Sequence, residues 1–144
     1  MKSLKADEVI STLNLAPHPE GGWYRETYRA PSPDGTRGAA TSVLFLLKEG
    51  EASHWHRVDA SEIWIHQDGG PLELQIAQNG LVEAFRLGPD LIGGDLLQKV
   101  VPPQAWQAAR ALGDYALVAC VVAPAFSFDG FELAPPGWSP GIDA

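Results

Sequence analysis

Gly50-Glu51-Ala52-Ser53-His54-Trp55-His56-Arg57-Val58-Asp59-Ala60-Ser61-Glu62-Ile63-Trp64-Ile65-His66 is the stretch on which the fold turns, and it holds three of the chain's 4 histidines. On an extended strand alternate side chains share a face. His54 and His56 therefore point one way, and across a short turn Glu62, Trp64 and His66 share a face opposite Ile63 and Ile65. If the two strands pair, imidazoles and a carboxylate converge on one site. A glutamate between Ser61 and Ile63 loses hydration on a buried strand and needs a partner. His56 is the nearest candidate, with Glu62 orienting it as a base. The same set suits a first-row metal through nitrogen and oxygen donors, or metal-free acid/base chemistry in which a carboxylate orients a histidine. A third reading leaves the histidines as hydrogen-bonded wall residues.

Outward from this stretch the chain reads as strands. Trp23 to Arg29 alternates aromatic and charged residues, and Leu72-Glu73-Leu74-Gln75-Ile76 alternates cleanly. Asn79-Gly80 then leads into Leu81 to Leu87, a hairpin signal because a type I′ turn needs positive φ at both central positions. Leu96 to Val101 and Tyr115 to Val122 supply two more strands. Ser42 to Leu47 is almost unbroken apolar sequence, so both of its faces are expected to be covered. The cover is either the N-terminal segment or a second subunit, and a homodimer is the more economical expectation. The one helical period lies at 4–14, where Leu4, Val9, Ile10 and Leu13 fall near one face; Pro17 and Pro19 are expected to close it. Short strands punctuated by 15 glycines and 12 prolines favour a sandwich or closed barrel.

Composition removes several classes of function. At 144 residues and 45% hydrophobic content the chain is one domain's worth, with a core of its own. A formal net charge of −8 repels phosphate backbones and anionic lipid, so no nucleic acid and no membrane is expected as partner. The single cysteine, Cys120, sits in an apolar run and reads as a small core residue. The N-terminus lacks an apolar signal region, and a cytoplasmic location is the expectation. Glu20, beside Gly21 and Gly22, reads first as a solvated turn carboxylate, with entry into the pocket as the alternative. Tyr24, Tyr28 and Tyr115 read chiefly as packing residues, and Arg57 as one half of a structural salt bridge.

Gly50, His56, Val58, Glu62 and Gly69 have the spacing of the first cupin motif, with Val58 at the second histidine position. Pro102-Pro103-Gln104-Ala105-Trp106-Gln107 is similar to the second motif, with Gln104 at its glycine position and Gln107 at its histidine position. Pro17-His18-Pro19-Glu20-Gly21-Gly22-Trp23-Tyr24-Arg25-Glu26-Thr27, Glu62-Ile63-Trp64, Gly70-Pro71-Leu72 and Trp106-Gln107 resemble a family of small single-domain cupins. These are similar in fold to sugar-nucleotide epimerases and seed storage proteins. The resemblance runs from about Leu13 to about Phe131.

It implies an all-β fold, a double-stranded β-helix or cupin jelly-roll barrel with a short N-terminal helix, usually dimeric. The single domain would comprise a helix at 4–14, a barrel at about 23–131 and a C-terminal tail at 132–144. The pocket would lie inside the barrel. His56 and Glu62 are the catalytic candidates, and His54, Trp64, Gln107 and Tyr24 the ligand-binding ones. The ligand is a carbohydrate-like small molecule, handled by an isomerase- or epimerase-like enzyme. The alternatives are a metal-dependent cupin enzyme holding a divalent transition metal through His54, His56, Glu62 and Gln107, which is not favoured, and a non-catalytic binding protein.

Overall fold

In the computed structural model residues 2–141 are described, with side chains from residue 5 onward. A helix, α1 (Lys2–Leu13), precedes eleven strands: β1 (Ala16–Pro17), β2 (Trp23–Arg29), β3 (Thr41–Lys48), β4 (Ala52–Val58), β5 (Ser61–Gly69), β6 (Leu72–Gln78), β7 (Leu81–Leu87), β8 (Gln98–Val101), β9 (Trp106–Ala111), β10 (Tyr115–Ala123) and β11 (Phe131–Leu133). They form two antiparallel sheets, ordered β1-β2-β3-β10-β5-β8 and β11-β4-β9-β6-β7. The two sheets face each other as a jelly-roll barrel. No helix among the described residues is long and apolar enough to cross a membrane.

The unalternating β3 is covered by α1. Leu44 and Leu46 face outward onto Val9, Ile10, Leu13 and Trp23, while Phe45 and Leu47 enter the barrel core. Burying a leucine such as Leu46 contributes roughly 1.5–3 kcal/mol. The N-terminal segment, one of the two expected covers, thus lies over the apolar strand. Lys48 also clamps the helix through Asp7, Nζ to Oδ1 at 2.7 Å.

The end of α1 differs from the expectation that prolines terminate it. Asn14 adopts φ 61°. Its N–H reaches the Ser11 carbonyl at 3.2 Å, and the Leu15 N–H reaches Ile10 at 2.9 Å. This is a Schellman arrangement: the left-handed residue lets the last carbonyls be satisfied, and buried Leu15 packs back on the helix. The Leu4 side chain lies outside the described residues.

The Asn79-Gly80 turn joins β6 and β7 with φ of 53° and 76°, both positive as the hairpin requires. Three strands were not foreseen: β1, β9 and β11. The tail is correspondingly shorter than expected, since Glu132 and Leu133 pair with Arg57 and His56 of β4. Beyond them Trp138 packs on Trp106, centroids 4.6 Å apart. Residues 142–144 of the expected tail lie outside the described residues.

Candidate functional site

One end of the barrel is hollow. A cavity of about 220 Å³ opens between β2, β3, β4, β5 and β10 and is roofed by Phe126, Phe128 and Phe131. Its walls are mostly carbon, from Val43, Phe45, Val58 and Val122, with Tyr24, Cys120 and an Arg29–Glu26 pair. Against this apolar lining stand His18, Glu20, His56 and Glu62.

Glu20 owes its place to the turn that carries it. His18 N–H bonds the Gly22 carbonyl at 2.9 Å, and the His54 N–H bonds the Glu20 carbonyl at 2.8 Å, pinning the turn to β4. Gly21 and Gly22 have φ of 105° and 80°, and a Cβ would lie 2.3 Å from the Ala52 carbonyl oxygen or 2.8 Å from Phe45. Only glycine lets this turn lie so close to β3 and β4. The consequence is that the Glu20 side chain, 9% exposed, stands at the cavity, a correction to its first reading as a solvated turn carboxylate.

The β4 strand carries a bulge. Its pairing with β9 shifts between Ser53 and His56, so two residues instead of one separate these inward side chains. His56 turns inward and is buried. Its Nδ1 lies 2.8 Å from the His54 carbonyl, which can only accept, so Nδ1 carries a proton. Its Nε2 lies 2.7 Å from Glu20 Oε2, a charge-assisted contact. Burial opposes a charged imidazolium here, but the Glu20 charge and hydrogen bond override it, with Glu62 adding, and the pKa is pushed up to about 9. Burial likewise opposes the Glu20 carboxylate, yet His56 outweighs it and holds Glu20 below the usual carboxylate range. His18 goes down, chiefly because burial disfavours its charge; its Nδ1 accepts the Glu20 N–H at 3.1 Å.

Glu62 approaches from the other sheet. Its Oε1 accepts from Gln107 Nε2 at 3.0 Å, and Gln107 Oε1 accepts from the Trp64 indole N–H at 2.8 Å. The indole can only donate, so it fixes the amide with its NH₂ towards the carboxylate. Burial pushes the Glu62 pKa up to about 7, with His56 pulling down and Glu20 pushing up. Cys120 lies beside it, and burial raises that thiol.

Several expected placements are corrected. β4 and β5 do not pair: β4 lies beside β9 and β11, and β5 beside β10 and β8, so His56 and Glu62 face each other across the barrel. The partner of His56 is Glu20 rather than Glu62. The bulge turns His54 away from the cavity, where its Nε2 donates to the Pro135 carbonyl at 2.9 Å. Trp64 is 1% exposed and belongs to the core, behind Gln107, and neither lines the cavity. Tyr24 does line it, edge-on to His18 with centroids 4.4 Å apart. His66 bonds the Gly70 carbonyl, remote from Glu62. Arg57 pairs with Glu132 at 2.8 Å and lies over Trp106, as a structural salt bridge would. His18 is the site residue that sequence reasoning passed over, and Glu20 the one whose entry into the pocket it ranked second; the adjoining Gly21-Gly22 pair, which forces a tight approach, was their signal.

The four positions where cupins hold a metal do not suit one here. Val58 has no donor atom. The Gln107 Oε1 is occupied by the Trp64 indole, and both His56 nitrogens are engaged. Among the described residues no three His, Cys, Asp or Glu side chains are grouped to hold a metal ion. Gln104, at the glycine position of the second motif, does adopt φ 68°, the left-handed backbone that position requires.

Comparison with known proteins agrees with this architecture. A protein from Shewanella oneidensis of known crystal structure superposes with a TM-score of 0.85 at 39% identity, covering 90% of this chain and 84% of that one. A hypothetical protein from Leishmania major gives a TM-score of 0.83 at 30% identity, over 90% and 86% of the two chains. An uncharacterized protein of Saccharomyces cerevisiae is 27% identical over 143 residues, 85% of this chain and 71% of its own length. The family model described as Cupin superfamily (DUF985) matches residues 7–134, and the chain belongs to that family.

Proposed function

We propose that this cupin is an isomerase- or epimerase-like enzyme that moves a proton on a small molecule held in the barrel. The observation that carries the reading is the opposite treatment of two buried carboxylates around one imidazolium. Glu20 is kept charged by His56, while Glu62 is pushed up to about 7 by burial. Titratable groups driven apart in this way mark an acid and base assignment. A base is most effective with a pKa near the working pH.

The roles differ from those read off the sequence. His56 is engaged at both nitrogens and held as imidazolium, so it suits a fixed positive pole better than a base. Glu62 is the base: it takes a proton from a carbon next to a carbonyl, leaving an enolate, and as the acid so formed gives the proton back once the planar enolate has turned its other face to the carboxyl. The imidazolium, 2% exposed and engaged at both nitrogens, has no N–H left for the substrate; its part is to keep Glu20 ionised. The lining also argues against a carbohydrate. A sugar carries hydroxyls on every side, each needing a partner when buried, and this wall is mostly carbon. A compact, largely apolar carbonyl compound suits it better.

A thermal-shift screen of small carbonyl compounds, followed by NMR of each hit in deuterium oxide, tests the reading. The expected result is deuterium entering the carbon beside the carbonyl, with the exchange lost in Glu62→Gln. Hits that bind without exchange would make the protein a non-catalytic binding cupin.

A further inference from the structure

We propose that the barrel cavity selects a small organic cation, an ammonium group on an apolar body, and turns away carboxylates and phosphates. The inference rests on Glu62 facing the ligand, and not on turnover. Its basis is the pairing of every charge that faces the cavity.

The cations are already matched. His56 Nε2 lies 2.7 Å from Glu20 Oε2. Arg29, at the mouth, is held by Glu26 through two contacts, Nη2 to Oε1 at 2.7 Å and Nε to Oε2 at 3.2 Å, and gives its remaining reach to the Phe126 carbonyl at 3.0 Å. His18 accepts a backbone N–H on Nδ1, which leaves it neutral. An anionic ligand therefore finds no unmatched positive group.

Glu62 is the exception among the carboxylates. Its hydrogen-bond partner is the neutral amide of Gln107 at 3.0 Å, with the Cys120 thiol beside it. Among the described residues it makes no ion pair within hydrogen-bonding distance, although it is 92% buried by its 8% exposure. When Glu62 is ionised, the cavity holds one negative charge more than it holds positive.

The rest of the lining suits a cation with an apolar body. Tyr24, Phe45, Phe126, Phe128 and Phe131 place aromatic rings around the space, and aromatic faces attract ammonium groups. At about 220 Å³ the cavity is smaller than the usual drug-sized pocket, so the ligand is compact. The net charge of −8 favours the approach of cations from solution.

Three probes sharing one ring separate charge from shape: benzylammonium, benzyl alcohol and benzoate, each titrated calorimetrically into the whole protein at pH 8. The expected order is benzylammonium tightest, by about tenfold or more over benzyl alcohol, with benzoate weakest. Glu62→Gln keeps the shape and removes the charge. It should bring benzylammonium down to the level of benzyl alcohol. Equal binding of the first two probes to the native protein, preference for benzoate, or no binding of any probe at millimolar concentration would overturn the proposal. The probe series on the native protein decides this even if the variant does not fold. Deuterium exchange is read separately. Cation selection without exchange leaves a binding protein, and exchange without cation selection leaves an enzyme for neutral substrates.

Discussion

The two ends of the barrel are built from the same strands but differ in what fills them. Along β3 the inward residue is Leu47 at one end and Val43 at the other; along β5, Trp64 gives way to Glu62; along β10, Ala116 and Val118 give way to Cys120 and Val122. At the filled end Leu72, Leu74 and Leu87 close the interior with side chains almost fully buried. At the hollow end smaller residues leave space, and Glu20, His56 and Glu62 enter it. The lesson is that the apolar end carries the stability that lets the other end tolerate buried charge. Trp64 is the joint between them: its ring packs on Phe45 at 5.9 Å, while its N–H orients Gln107 towards Glu62.

The sharpest way to break this comparison is to remove one charge of the buried pair. Glu20→Gln leaves the His56 imidazolium without its counterion, and breaking a buried pair costs about 3–5 kcal/mol. Urea unfolding at pH 6 should therefore place Glu20→Gln beside Leu74→Ala at the filled end, where a core leucine truncation costs about 2–5 kcal/mol. A loss below about 1 kcal/mol for Glu20→Gln would mean that the pair is not the organising contact of the hollow end.

Acidity gives a second, smaller effect with a definite sign. His56 rises from 6.5 to about 9 on folding, so its contribution is complete below pH 6.5 and fades as pH climbs through 9. Glu62 rises from 4.5 to about 7, so folding favours its acid form; that contribution is complete below pH 4.5 and is lost as pH climbs through 7. Glu20 is lowered, so its contribution is present above 4.5 and lost as pH falls through its lowered value. Thermal unfolding should accordingly show stability declining from pH 5 to pH 9. Glu62→Gln should match the parent at pH 4 and exceed it at pH 8, by on the order of 2 kcal/mol. A variant less stable than the parent at pH 8 would make Glu62 a structural residue and remove the base from the proposed chemistry.

The fold was legible because its signals are local. Asn79-Gly80 specifies a hairpin, the β6 alternation specifies a half-buried strand, and the motif spacing from Gly50 to Gly69 resembles a cupin. The site was legible only in part. His56 and Glu62 could be named from their strands, but the partner of His56 comes from a turn some 36 positions earlier, and no local pattern measures that approach. Position 54 failed for a related reason: alternation holds only while the strand stays regular, and a bulge leaves no mark in the residue types around it. The cover over β3 was narrowed to two candidates by its apolar run, and α1 proved to be the one.

His54 provides the smallest expected effect and the finest test of the bulge. It sits two residues from His56, and regular alternation would put both rings in the cavity. In the bulged strand its ring lies outside, partly exposed, and its hydrogen bond to the Pro135 carbonyl holds the segment before Trp138. A single hydrogen bond of this kind contributes about 1 kcal/mol net. His54→Ala should therefore lower stability by no more than about that amount, measured by urea unfolding. Because the ring faces away from the hollow end, ligand affinity and deuterium exchange should match the parent. The carbonyl of residue 54 belongs to the backbone and persists in the variant, so the His56 Nδ1 keeps its acceptor. A large loss of binding without loss of stability would put the position 54 side chain back inside the barrel. The two histidines would then act together, and the division between a paired His56 and an outer His54 would fail.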